Sequence, residues 1–258
     1  MNKKDWNPDL YLKFDKERIQ PSIDLVTKID FENPFSIIDI GCGPGNSTQV
    51  LFQRWPDSKI LGIDNSEAMI KKAKLDYPNL EWMLVDAEKE TIAGKFDIVF
   101  SNAAIQWIPN HFELFKRLKN NLTEKGSIAI QLPLFFDMPL GKSIRQISKN
   151  KKWAHLIESV NDMFTIHTPA EYYDMLSELF GSVKIWVTDY VHIMKSHVSV
   201  FEMIQATGLR PYLEQLENDS QKYEFEEMVL ESIKKDYPGQ KNGKVLFPFK
   251  RLFIIVKK

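Results

Sequence analysis

The chain has 258 residues and a formal net charge of −1, enough length for a sizeable core and no global basic field to recruit nucleic acid or an anionic membrane. Its single cysteine, Cys42, excludes an intrachain disulfide framework and suits a reducing compartment; with the five histidines it forms no metal-ligand spacing. No apolar stretch approaches membrane-spanning length and the opening Met1 to Trp6 lacks a signal-peptide core, so the expectation is a cytoplasmic protein without metal, membrane or nucleic-acid partner.

Helix and strand patterns alternate through the first half. Residues Pro21 to Ile29 read as a helix, and Ile37, Ile38 and Ile40 as a buried parallel strand. A glycine turn follows, and Asn46-Ser47-Thr48 opens a helix with Leu51, Phe52 and Trp55 on its apolar face. Lys59 to Asp64 is the second strand. Ser66 is the N-cap of a helix that buries Met69, Ile70 and Ala73. Strands over Glu81–Val85 and Phe96–Phe100 come next. A helix from about His111 to Asn121 turns Phe112, Phe115, Leu118 and Leu122 inward, and Gly126 introduces a strand over Ser127–Leu132. This alternation predicts a parallel sheet with right-handed crossovers.

The pattern then changes. Residues 133–166 are mixed, with a basic Lys149-Asn150-Lys151-Lys152 stretch expected as a solvated turn. Thr168-Pro169-Ala170-Glu171 is a capping box with proline at the first helical position, starting a helix to about Phe180. Val183–Val187 and Leu252–Val256 read as strands, and the roughly sixty residues between them read mostly as helix. An excursion of that length is expected to cover a substrate.

The turn Asp39-Ile40-Gly41-Cys42-Gly43-Pro44-Gly45 carries most of the chemistry. Its glycines permit a tight turn and a close backbone approach by a ligand. A dinucleotide fingerprint is excluded because its third glycine falls one residue early, with Asn46 in its place, and a Walker loop because there is no lysine. Asp39 suits a ligand bearing an ammonium group rather than a pyrophosphate. Asp64, roughly twenty residues beyond the glycines, ends the second strand, where a carboxylate accepts from both ribose hydroxyls. Asp86 ends the third, placed for an adenine amine. These three acids form a ladder for S-adenosylmethionine, with Gly41, Gly43, Gly45, Asn46, Asn65 and Ala87 in the same cofactor-binding set. A plain strand–helix connection, with Asp64 capping the next helix, is the alternative. Cys42 reads as a small packed side chain, not a nucleophile.

Taken together these residues resemble a class I methyltransferase and, more narrowly, the trans-aconitate 2-methyltransferase family. The narrower resemblance rests on Asp5–Leu12, Gly41–Thr48, Gln53–Pro56, Asn102–Pro109, Ala206–Tyr212 and Arg251–Ile254. It implies an α/β, Rossmann-like domain with a mostly parallel seven-stranded sheet, helices on both faces and a helical cap. The expected layout is one domain over 1–258: core 30–190 and 246–258, cap about 191–245, N-terminal lid helix about 8–20. The resemblance also implies methyl transfer to a carboxylate of a small polycarboxylate, in a protein taken as monomeric. A carboxylate is already an anion at neutral pH and needs no general base, so no catalytic residue is assigned and positioning does the work.

Arginine suits the task of orienting the acceptor, and Arg210 and Arg251 are the candidates, with Trp107, His192 and Tyr212 as further substrate contacts. Asn102, Gln106 and Trp107 follow the fourth strand and join the cofactor set, as does Arg18. Trp107 either shields the sulfonium or packs under the cap. Arg18 meets the cofactor carboxylate or lies solvated. His192 and His197 contact an anionic acceptor, act as a base on a hydroxyl, or serve as surface and capping residues. The chain departs from the family at Leu134-Phe135-Phe136 and over 137–166, near the expected pocket. That apolar run favours a second reading, a methyltransferase for a neutral or phenolic small molecule. A cofactor-binding protein without catalysis is the third.

Overall fold

In the computed structural model, residues 14–258 are described. The Asp5–Leu12 motif and the start of the expected lid helix lie outside them. Helix α1 (Asp15–Lys28) runs unbroken through Pro21, where a separate helix had been expected to begin. Its C-terminal carbonyls are met by Arg54, whose guanidinium donates to Val26 and, at 2.8 Å, to Ile29.

Five strands and their crossovers then follow. They are β1 (Ser36–Ile40), α2 (Asn46–Arg54), β2 (Lys59–Asp64), α3 (Glu67–Asp76), β3 (Glu81–Leu84), β4 (Phe96–Asn102), α4 (His111–Asn120) and β5 (Leu122–Pro133). Ser66 Oγ accepts from the Met69 amide at 3.2 Å, the cap its sequence position demands. Strand β5 begins at Leu122, earlier than expected, so Leu122 belongs to the strand and not to α4. The early start passes through an irregularity opposite Phe96 and Ile98. Gly126 sits there because a Cβ would lie 3.0 Å from the Phe96 carbonyl oxygen.

The remaining elements are α5 (Pro139–Ile147), α6 (Ala154–Ile157), α7 (Pro169–Leu179), β6 (Ser182–Met194), α8 (His197–Gln205), α9 (Arg210–Gln215), α10 (Asp219–Asp236) and β7 (Val245–Lys257). The capping box at Thr168 forms in full. Both late strands are longer than expected. Half-buried and exposed positions alternate through His192 in β6, and buried and exposed ones alternate from Val245 in β7, so helix is confined to the stretch between them.

The sheet has seven strands in the order β3-β2-β1-β4-β5-β7-β6. Strands β1 to β5 are mutually parallel. The Lys258 amide donates to Gly126 and the Leu134 amide to Lys250, so β7 runs antiparallel to β5. From β1 the chain winds outward to β2 and β3, then returns to β4 on the other side. With right-handed crossovers, that reversal puts α2 and α3 on one face and α4 on the other.

By internal contacts the chain divides into two compact units. The first holds everything to Leu132 with Thr165–Val187 and Leu252–Lys258; the second holds Pro133–Phe164 and Thr188–Arg251. The sequence had assigned 133–164 to the core. Those residues cluster instead with the later helices: α5 packs on α10, and Trp153 meets Phe225 edge to face at 5.7 Å.

Candidate active site

The reversal between β1 and β4 is a topological switch point, the place where open α/β sheets bind ligands beyond their carboxyl ends. The turn after β1 lies there. The amides of Gly41 and Cys42 both donate to the Ile63 carbonyl, at 2.8 and 3.0 Å. Gly41, Gly43 and Gly45 all have positive φ, a region that costs other residues about 1–2 kcal/mol. Their surroundings differ. A Cβ on Gly41 would lie 2.1 Å from the Ala104 Cβ, and one on Gly45 2.8 Å from the Trp82 ring, whereas one on Gly43 would meet nothing within 4 Å. Gly41 and Gly45 are therefore required by packing, and Gly43 opens onto space where a ligand can approach. Trp82, Cys42, Ile70 and Ala73 form the cluster beneath the turn. Burial pushes the Cys42 thiol well above its usual value, consistent with a packed side chain.

Asp39 is fully buried. Its Oδ2 accepts from Ser47 at 2.6 Å and Thr48 at 2.7 Å, fastening the first turn of α2 to β1. Burial raises its carboxyl to about 6, against the lowering effect of those two hydroxyls. Asp64 is half-buried and ties two elements together: Oδ2 accepts from Gly43 at 2.9 Å and Oδ1 from the Ser66 amide at 2.9 Å. One carboxylate thus holds both the glycine turn and the N-cap residue of α3. Asn65 beside it is exposed, and Asn46 is half-buried at the start of α2. Asp86 is drawn toward Lys89 Nζ at 3.0 Å and the Glu88 amide at 3.0 Å. Burial pushes its carboxyl up, but these bonds outweigh it and hold the group below its usual value. Arg117 donates to the Ala87 and Glu88 carbonyls at 3.1 and 2.9 Å, pinning the same loop.

Past β4 the backbone bends sharply. Ala103 has φ 55°, its amide donates to Gln131 at 2.8 Å, and a 3₁₀ turn over Ile105–Trp107 follows. Gln106 is buried and donates to the Ala103 carbonyl at 2.7 Å. Three buried carboxylate or amide oxygens have no hydrogen-bond partner among the described residues: Asp39 Oδ1, Asn102 Oδ1 and Gln106 Oε1. Acceptors without donors fit a ligand that brings an ammonium group. The cradle therefore fits S-adenosylmethionine. Arg18 is buried on α1 rather than solvated, and Trp107 is half-buried.

The substrate candidates Arg210, Arg251, His192 and Tyr212 all fall in the second unit. Arg210 opens α9 and is ion-paired with Glu214 at 2.6 Å. Arg251 is buried with its guanidinium 4.4 Å from the Phe249 ring centroid. Burial, aided by the charge of Arg251, lowers His192 to about 4, and its Nε2 has no hydrogen-bond partner among the described residues. Tyr212 lies on α9. It is fully buried, donates to Asn161 Oδ1 at 2.8 Å, and stacks on Phe164 and Phe225. His197 bonds the Tyr237 carbonyl at 2.8 Å, a capping role. Leu134 and Phe135 pack inside the unit. A Cβ at Gly208 would lie 3.2 Å from Phe135, which accounts for the glycine of the Ala206–Tyr212 motif.

One buried group escaped the sequence reading. His111 is buried and bonds both Tyr172 and the Ile105 carbonyl. A histidine opening a helix whose apolar stripe faces the core was its available signal.

A parallel sheet with a glycine turn at its switch point and acids at three successive strand ends defines a methyltransferase domain, and the Methyltransferase domain family model matches residues 32–197. The trans-aconitate 2-methyltransferase of Escherichia coli O157:H7 is 38% identical over 254 residues, 98% of each chain. The chain belongs to that family. Among solved structures, the YcgJ protein of Bacillus subtilis superposes with a TM-score of 0.62 at 12% identity, over 92% of this chain and 98% of that one. An O-methyltransferase of Brevibacillus brevis in complex with S-adenosyl-L-homocysteine gives 0.54 at 16% identity, over 97% and 77%. Both likenesses concern the fold.

Proposed function

We propose that this chain is an S-adenosylmethionine-dependent carboxyl O-methyltransferase that esterifies a small polycarboxylate, trans-aconitate. The observation that carries the proposal is the 38% identity across 98% of a trans-aconitate 2-methyltransferase. S-adenosylmethionine supplies a sulfonium-bound methyl group open to in-line displacement by a carboxylate oxygen. Asp64 would accept from the ribose hydroxyls and Asp86 from the adenine amine. The acceptor atoms of Asp39, Asn102 and Gln106 would receive the ammonium group, with Arg18 for the cofactor carboxylate. Gly43 leaves the cofactor room beside the backbone.

The acceptor is an anion at neutral pH, so the chain's task is orientation and exclusion of water. Arg210 and Arg251 supply forked donors for carboxylates, and Glu214 orients Arg210 from its Nε side. In this reading the second unit, Pro133–Phe164 with Thr188–Arg251, sets acceptor specificity. On the same reading the protein acts in the cytoplasm and needs no metal, and a monomer is the default state.

A phenolic or neutral acceptor would need a base, and His192, though neutral at physiological pH, is a weak one with its value lowered to about 4. The other support for such an acceptor weakens, because Leu134 and Phe135 are spent on the interior of the second unit. The test is release of S-adenosylhomocysteine with trans-aconitate, cis-aconitate, isopropylmalate and phenol as acceptors. Preference for trans-aconitate, with a rate flat above about pH 5, is expected. Turnover only on phenol, with a rate rising through a histidine pKa, would overturn the carboxylate assignment.

A further inference from the structure

Ala103 and Asn110, with φ of 55° and 52°, are the two non-glycine residues of positive φ among the described residues. They bracket the segment that carries Gln106 and Trp107. Left-handed backbone strains Ala103, is tolerated by Asn110, and persists at a residue with a Cβ where neighbouring bonds over-determine it. Asn110 is the N-cap of α4 and accepts from the Glu113 amide at 3.3 Å. The Gln106 carbonyl accepts from the Thr165 amide at 2.9 Å. Between them, His111 Nε2 lies 2.9 Å from the Ile105 carbonyl, and Nδ1 lies 2.7 Å from the Tyr172 hydroxyl.

The partners settle the proton. A carbonyl only accepts, so Nε2 carries the hydrogen and Nδ1 accepts from Tyr172. The ring is 1% exposed and lies against Tyr172 at 5.6 Å, with Phe115 and His167 edge-on at 6.3 and 5.5 Å. Tyr172 is itself fully buried on α7, one residue past the Thr168–Glu171 capping box. The imidazole therefore has one orientation and one tautomer.

We infer that His111 and Tyr172 are positioning residues: together they staple the strained Ala103–Asn110 arch and so preset Gln106 and Trp107 for the cofactor and the methyl transfer. The inference rests on the methyltransferase reading of the switch-point site. It does not depend on which acceptor is used.

The test compares side chains that keep different halves of the imidazole. His111→Gln retains a donor near the Nε2 position; His111→Asn retains only the Nδ1 side. Binding of S-adenosylhomocysteine is measured by calorimetry, kcat with the best acceptor is taken per folded molecule, and Tm is recorded for each variant. His111→Asn is expected to weaken binding and lower kcat about tenfold or more, with His111→Gln restoring both to within about threefold. Tyr172→Phe, which removes one hydroxyl and keeps the ring, is expected to weaken binding about threefold and keeps the test open if His111→Asn does not fold. Wild-type affinity and kcat in folded His111→Asn or in Tyr172→Phe, with only Tm lowered, would make the cluster plain core and overturn the inference. Failure of the wild-type chain to bind S-adenosylhomocysteine would instead sink the methyltransferase reading, and the inference with it.

Discussion

The amide of Gly43 donates to Asp64 Oδ2 at 2.9 Å, joining the glycine turn after β1 to the end of β2. The carboxylate expected to hold a ribose thus also holds the backbone against which the ribose would lie. Removing it takes away a ligand contact and the turn's own support at once. Asp64→Ala is expected to weaken S-adenosylhomocysteine binding by roughly 1.5–3 kcal/mol, the scale of charge-assisted hydrogen bonds. Unchanged affinity by calorimetry would remove Asp64 from the site.

Gly41 and Gly43 should separate stability from binding. Gly41→Ala puts a Cβ 2.1 Å from Ala104 at φ 69°, and is expected to cost about 2 kcal/mol or more in urea unfolding. Gly43→Ala carries only the conformational cost of about 1–2 kcal/mol but fills the open approach to the ligand. It should leave a folded protein with strongly reduced cofactor affinity. Equal behaviour of the two variants in both measurements would argue against a ligand at Gly43.

Asp39 predicts a trade of stability for binding. Its carboxyl is raised from 3.8 to about 6, so the folded state prefers the protonated form. Its stabilising contribution is full below pH 3.8 and is lost as pH rises through about 6. Asp39→Asn keeps an acceptor for Ser47 and Thr48 without the buried charge. It is expected to gain roughly 1–3 kcal/mol at pH 7, a gain that fades toward pH 4, while binding the cofactor more weakly. Denaturant unfolding at the two pH values, beside calorimetry, reads both effects.

His111 and His192 act in the opposite sense. Both are lowered from 6.5 to about 4, chiefly by burial, so their neutral forms favour the folded state. Their contribution is complete above pH 6.5 and is lost as pH falls through 4. His192→Gln should flatten the fall of Tm across that window. A Tm profile identical to wild type would show that His192 is not buried in solution.

Arg210 exchanges one carboxylate partner for two if it receives the acceptor. Arg210→Ala is expected to raise KM for trans-aconitate about tenfold or more and leave S-adenosylhomocysteine affinity alone. Arg251→Lys keeps the charge but loses the fork, and should raise the same KM with less damage to the fold than Arg251→Ala. If neither KM moves, the carboxylate clamp lies elsewhere.

Much of this was legible in the sequence where local chemistry fixes geometry. Isoleucine runs mark β1, caps at Ser66, Thr168 and Ser196 mark helix starts, and the glycine turn marks the switch point. What escaped depends on contacts between distant segments. Tyr212 lies in a motif that resembles a substrate segment, yet only the fold brings Asn161, Phe164 and Phe225 around it. Residues 133–164 carry no strong period, so their grouping with α8 to α10 follows from packing alone. The Tyr172–His111 bond joins positions 61 residues apart, and no spacing rule reaches that far. For Asp64 the order of residues leaves cap and ligand open, and the fold adds its bonds to the Gly43 and Ser66 amides.

Cys42 gives this chain an internal clock. It is the sole thiol, 3% exposed, and packed under the glycine turn against Trp82 and Ala73. A thiol reagent can reach it only when that cluster opens, and the raised pKa slows reaction further. The rate of labelling in the native protein therefore counts openings of the turn, one molecule at a time, with no engineered probe. A ligand seated on Gly43 would slow the count, so modification kinetics follow occupancy of the cradle even where no methyl group is transferred.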